Sequence, residues 1–324
     1  MDSPAPAQGN PIETPLGMLL IGLIISCALY GLNFLQIYLY FRAFPQDSWW
    51  LKLMVALLLA LDTAGTALSG HGVYTYLIKH FGDPTAIAGI DTSLEIESQI
   101  TNFITLIVQW FYGYSLIQLA AGRKLKWIAF LIFFLALVSF AFGTAAVANN
   151  FLTAHFEGLT MKNARIISGF ALGGATACDI VITAALCTFF FRSKTGFKPT
   201  DNILDKLLIF TINRGAIAFA VQILNCILYF THTAQLIWTP FHFALSKVYA
   251  ISLVATLNQR DTYRNERTYT EDPVSFARPS TMSASANGNQ IPLQLRSGSG
   301  SEGETTGVSA SFSKTSEERY RAWS

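Results

Sequence analysis

Long apolar runs broken by short polar connections set the pattern of this chain. Seven can be bounded, at residues 16–39, 51–70, 100–120, 127–148, 166–191, 207–230 and 237–257. Each is continuously apolar over about 20 residues, the length of an α-helix crossing a hydrocarbon core about 30 Å thick. Strands of a membrane barrel alternate apolar and polar positions over about ten residues, so the pattern predicts an all-α, integral membrane bundle of seven transmembrane helices. Residues 1–15 are Pro-rich and acidic, without Lys or Arg. A cleaved signal peptide has a basic start and a shorter apolar region, so the first run is expected to remain as a spanning helix. The transmembrane domain then occupies 16–260. Residues 261–324, rich in Ser, Gly, Thr and mixed charge with no apolar period, are expected to form a disordered cytoplasmic tail.

Charge gives the bundle a direction. Basic residues fall in alternate connections: Arg42 and Lys52, then Arg123, Lys124 and Lys126, then Arg192, Lys194, Lys198 and Lys206, and finally the tail from Arg260. The intervening connections are poor in them, and residues 71–99 carry Asp83, Asp91, Glu95 and Glu97 against a single Lys79. The excess of Lys and Arg on cytoplasmic loops places the N-terminal segment 1–15 outside and the C-terminus inside, in what is expected to be the plasma membrane. Trp49 and Trp50 stand where interfacial aromatics belong. Gly169, Gly173 and Gly174 in the fifth run are expected to form a small-residue face that lets a neighbouring helix approach.

Composition agrees with this class: 52% of the 324 residues are hydrophobic, 13% are charged, and the net charge is only +2. Cys27, Cys178, Cys187 and Cys226 all lie in apolar runs, which favours small buried side chains over disulfide or metal roles. Hydroxyls near Arg278 and Arg296 in the tail are candidates for phosphorylation, but a plain solubilising tail is the preferred reading.

The motifs also carry a resemblance. Residues 177–259 contain LC at Leu186 and Cys187, KTGF at Lys194 to Phe197, TD at Thr200 and Asp201, LLIFTIN at Leu207 to Asn213 and SLVATLN at Ser252 to Asn258. Upstream stand LDT at Leu61 to Thr63, YTYLIKHFGDP at Tyr74 to Pro84 and QWFYGYSL at Gln109 to Leu116. Together these resemble a large fungal, mainly basidiomycete, family of seven-helix membrane proteins whose C-terminal domain, about 174–260 here, is a domain of unknown function. Members often carry His where this chain has Gly65, Thr at Arg214 and Asn at Ile251. The resemblance implies a membrane architecture and no reaction, ligand or cofactor.

Candidate chemistry rests on the ionisable residues inside the runs: Asp62, Asp179, Arg214 and Lys247, with His242 five residues before Lys247. Counted from the cytoplasmic ends at about 1.5 Å per residue, all four charges come out roughly 12 to 18 Å deep. Two acids and two bases at one level can neutralise one another if the second, fifth, sixth and seventh helices adjoin. The preferred reading is a paired network that fixes helix register; the alternative is an ion, proton or ligand site in which His242 titrates.

Several classes lack their marks. The third run ends in SLIQLAAGRKLK without an acidic-Arg-aromatic switch, and the seventh lacks Asn-Pro-x-x-Tyr, which counts against a G-protein-coupled receptor. Lys247 invites a retinal Schiff base, yet the third run has no acid to serve as counter-ion. The five His residues are too scattered for a metal-dependent hydrolase, and no nucleotide motif appears. No catalytic, cofactor or metal residues are assigned and no enzyme is expected. The expected partners are the lipid bilayer and a cytoplasmic protein reached through the tail. Nucleic acid is not expected, since topology accounts for the basic loops. The expected function is that of a receptor-like or sensor/scaffold protein, with a small-solute, ion or proton transporter using Asp62, Asp179, Arg214 and Lys247 as the alternative.

Overall fold

The structure, a computed structural model, describes residues 13–81, 89–119, 123–153, 161–194 and 198–271. Its long helices are α1 (Glu13–Ala43), α2 (Trp49–Tyr74), α3 (Thr92–Leu119), α4 (Arg123–Thr153), α5 (Lys162–Arg192), α6 (Lys198–Thr231) and α7 (Thr239–Glu271). Seven helical segments are long and apolar enough to cross a membrane, and no strand occurs among the described residues. The chain is therefore an all-helical, multi-pass membrane protein. Residues 1–262 form one compact unit; of the unit at 263–324, the described part is helical to Glu271.

Consecutive helices from α1 to α6 pack against one another, and α3 also meets α5. Helix α7 is the most enclosed, with 67% of its most apolar window buried against 22% for α1. Its polar contacts show why. It reaches α1 through Asn258 Nδ2 and Gln36 O at 2.9 Å, α2 through Lys247 and Asp62, α3 through Tyr112 Oη and Ser252 O at 3.1 Å, and α5 through Tyr249 and Asp179. Lipid offers such groups no partners, so a helix carrying them belongs inside the bundle. The most apolar segments take the outside: α4 has a mean hydropathy of 2.4, and Phe130 and Phe134 project from its surface.

Several boundaries depart from the hydropathy pattern. Helix α2 runs on into a π-turn, Thr75–Lys79, and α3 starts at Thr92 rather than 100, so much of the polar stretch 71–99 is helical. Tyr76 ties these ends together, donating to Gly89 O and accepting from Asp91 N, both at 2.7 Å. Helix α6 begins at Lys198, so only part of the expected 192–206 loop connects helices. Helix α7 continues to Glu271, making the first residues assigned to the tail helical; the tail from 272 lies outside the described residues, as do 1–12 and 195–197.

The glycine face in α5 is also partly revised. Added methyls on Gly169 and Gly174 would come within 3.2 Å of Phe230 and Ser139, but one on Gly173 would meet nothing within 4 Å. A tighter α5–α6 contact lies at Gly215, where an added Cβ would stand 2.3 Å from Thr183 Oγ1. Of the cysteines only Cys178 is buried, while Cys27 is exposed on the outside of α1.

Candidate functional site

Helices α2 and α7 bring Asp62 and Lys247 together, with Oδ1 and Nζ 2.8 Å apart and both side chains shut off from the surface. Asn33 of α1 donates to the other carboxylate oxygen at 2.7 Å. The contact is an ion pair: neither Lys247 Nζ nor Asp62 Oδ1 has a hydrogen-bond partner among the described residues. A methyl placed on Gly65 would touch Lys247 Nζ at 3.8 Å and Glu97 Cγ at 4.0 Å, so the ammonium and a second carboxylate flank this glycine.

Asp179 and Arg214 are not paired in this way. Asp179 accepts from Tyr249 Oη of α7 and from Gln109 Nε2 of α3, the latter at 3.2 Å. Arg214 stands over the Tyr112 ring, its Cζ 3.6 Å from the centroid, and its Nε and Nη1 have no hydrogen-bond partner among the described residues. A guanidinium over an aromatic face is an electrostatically favourable arrangement. The four charges therefore do not form one direct network. Asp179 is instead satisfied by Tyr249 and Gln109, and Arg214 takes the Tyr112 face.

The structure adds two acids that the sequence pattern had put in an outer connection. Glu95 and Glu97 sit in the first turns of α3, 7% and 1% exposed. Glu97 Oε1 accepts from Thr101 at 3.0 Å, and its Oε2 lies 3.5 Å from Nε2 of His242, which also meets Ser98 Oγ at 3.1 Å. His242 is thus a neighbour of Glu97 rather than of the Asp179 group. Glu95 receives Asn150 Nδ2 from α4 at 3.1 and 3.3 Å. Among the described residues, four buried carboxylates, Asp62, Glu95, Glu97 and Asp179, now stand against two buried basic side chains, Arg214 and Lys247, with His242 as a third titratable base.

Glu95 and His242 also line a cavity of about 120 Å³ at the end of the bundle where α1 begins. Its walls come from α1 and from α3 to α7. One side is the apolar cluster of Leu19, Leu94, Leu236 and Phe243, packed with Trp238. The other is polar and includes Asn225, 1% exposed, whose Oδ1 has no hydrogen-bond partner among the described residues. Leu236 closes the connection between α6 and α7 in a left-handed conformation, φ 54°, unusual for a branched side chain, and its burial in the cluster offsets that strain. A smaller cavity of about 50 Å³ shares Asn102 and His242 with the first and reaches Gln109, the donor to Asp179.

Residues 175–262 match a family model described as a family of unknown function (DUF6534). The matched stretch contains Asp179, Arg214, His242 and Lys247; Asp62, Glu95 and Glu97 lie outside it. No curated protein and no solved structure matches the chain.

Proposed function

We propose that this integral membrane protein is receptor-like: it binds a small ligand in the cavity where α1 begins and answers by repacking the polar contacts beneath it. The observation that carries this reading is the cavity itself, which draws on α1 and on every helix from α3 to α7 and contains the unpaired acceptor of Asn225. A site shared by so many helices feels any change in their relative positions, which is the requirement for coupling binding to a conformational equilibrium. A polar route leads inward: Gln109 borders the smaller cavity and bonds Asp179, which Tyr249 of α7 also bonds. Toward the far end α7 is enclosed, with Leu253, Val254 and Leu257 all fully buried, which supports signalling over passage of a solute.

The distribution of Lys and Arg supports an outer position for this cavity, with the N-terminus outside a plasma membrane and the C-terminal tail available to a cytoplasmic protein partner. The motif resemblance supports a fungal source. Nothing in the site needs a catalytic role. The test uses full-length protein in nanodiscs, with spin labels at Arg42 and Ser193 near the far ends of α1 and α5. A panel of small amines, alcohols, amino acids and sugars is expected to include members that shift the label distance. Uptake of the same solutes into reconstituted vesicles, abolished by Asp62→Asn, would replace the receptor reading by transport.

A further inference from the structure

We infer that the ligand of this cavity is a small organic ammonium ion whose charged head sits on Glu95 and whose short apolar part lies against Leu19, Leu236 and Phe243. The inference rests on the cavity being the ligand site proposed above. Four observations carry it. First, Glu95 alone among the buried acids in this half of the bundle has only a neutral donor. Asp62 has Lys247 at 2.8 Å and Glu97 has His242 at 3.5 Å, whereas Glu95 has the Asn150 amide and no basic side chain within 4.0 Å among the described residues, His242 acting on it only from farther off. A carboxylate so enclosed is stable only with a positive partner or a proton.

Second, the wall holds two polar atoms without a hydrogen-bond partner among the described residues, the acceptor Asn225 Oδ1 and the donor Trp238 Nε1, and it is the acceptor that lies among polar side chains. Asn225 Oδ1 is almost fully buried and unpartnered, so the site asks for a ligand that donates more than one hydrogen bond, and an ammonium brings up to three. Third, aromatic rings frame the space: Trp238 packs edge-on against Tyr229 at 5.4 Å and against His242 at 5.5 Å between centroids. Such walls attract organic cations. Fourth, size and geometry select among cations. The volume, about 120 Å³, is somewhat below the engineered cavity of about 150 Å³ that takes up benzene, so it suits roughly five or six heavy atoms. A bare metal ion is disfavoured, because no group of three or more His, Cys, Asp or Glu side chains converges among the described residues.

The experiment measures binding of n-butylammonium and of its neutral counterpart n-butanol to the full chain in lipid nanodiscs, by calorimetry and by the shift of the thermal transition, at constant ionic strength. Saturable stabilisation by n-butylammonium, with n-butanol at least tenfold weaker, is expected. Glu95→Gln, whose amide oxygen still accepts from Asn150, is expected to weaken n-butylammonium at least tenfold and leave n-butanol unchanged. Asn225→Leu should weaken it several-fold. The wild-type preference for the charged probe needs no variant, so a misfolded mutant does not spare the inference. Equal binding of the two probes, equal stabilisation by sodium or potassium ions, or n-butylammonium binding indifferent to both substitutions would each overturn it. Absence of binding by either probe would overturn it too. The receptor reading falls separately, only if the wider solute panel leaves the labelled helix ends unmoved.

Discussion

The Asp62–Lys247 pair makes an asymmetric prediction. The two charges are 2.8 Å apart and fully enclosed. At an effective dielectric of about 20 they attract by about 6 kcal/mol. Withdrawing each from water costs several kcal/mol, so the pair as a whole contributes little net stability. Removing one partner is another matter. Lys247→Met leaves the Asp62 carboxylate with Asn33 alone, so a loss of about 3–5 kcal/mol is expected. Asp62→Asn leaves a lysine that still has Glu97 on the other side of Gly65, and its loss should be smaller, about 1–3 kcal/mol. The double variant carries no orphaned charge at this position and should return to within about 1 kcal/mol of the parent. Reversible unfolding in mixed micelles of rising denaturing-detergent fraction, followed by circular dichroism, gives all three values and their coupling energy. Additive losses, with the double variant the least stable, would refute the pairing. Equal losses for the two single variants would refute the part assigned to Glu97.

The remaining expectations concern packing and one hydrogen bond. Tyr249→Phe removes the donor to Asp179 Oδ2 without changing shape and should cost about 1–2 kcal/mol in the same unfolding assay, toward the upper end of what polar contacts inside membranes provide. Gly215→Ala drives a methyl into the β-branched Thr183 and should cost about 1–3 kcal/mol, whereas Gly173→Ala meets nothing and should be neutral or stabilising by up to about 1 kcal/mol; the reverse order of thermal stabilities would contradict the α5–α6 geometry. Leu236→Gly relieves the left-handed backbone by about 1 kcal/mol but empties a buried position worth about 2–5 kcal/mol, so a net loss is expected; a gain in thermal stability would show that the cluster does not hold this connection.

The spanning helices were legible because an apolar stretch of about 20 residues has few alternatives in a bilayer. Which helices lie inside was legible too, in the gradations of hydropathy: α3 and α7, with means of 1.2 and 1.3, are the segments buried to 50% and 67%. The start of α3 escaped because a hydropathy window reads glutamates as solvated. The helical period was nevertheless written there. Leu94, Glu97, Thr101, Ile104, Val108, Phe111 and Ser115 recur at intervals of three and four residues, and all are buried. That face mixes polar and apolar residues, so a search for apolar periodicity alone passes over it. That Asp179 and Arg214 have other partners was not legible at all, since depth along a helix says nothing of azimuth; those partners, Gln109 and Tyr112, lie on a third helix.

The two added glutamates change what the buried charges mean. Asp62, Asp179, Arg214 and Lys247 taken alone sum to zero and ask for nothing beyond one another, and a register-fixing network is then a sufficient account. Glu95 and Glu97 break that balance, and His242 can offset only one of them. The excess is also placed unevenly. Asp62 is matched by Lys247, and Asp179 is held by Tyr249 and Gln109, away from the larger cavity. Glu95 instead forms part of the wall of a cavity at one end of the helices, beside an acceptor that no side chain satisfies. Structural and functional readings therefore do not compete for the same residues: they divide the charged groups between the middle of the bundle, where Asp62 has Lys247 and Asp179 has its two neutral donors, and its end, where Glu95 has only the Asn150 amide.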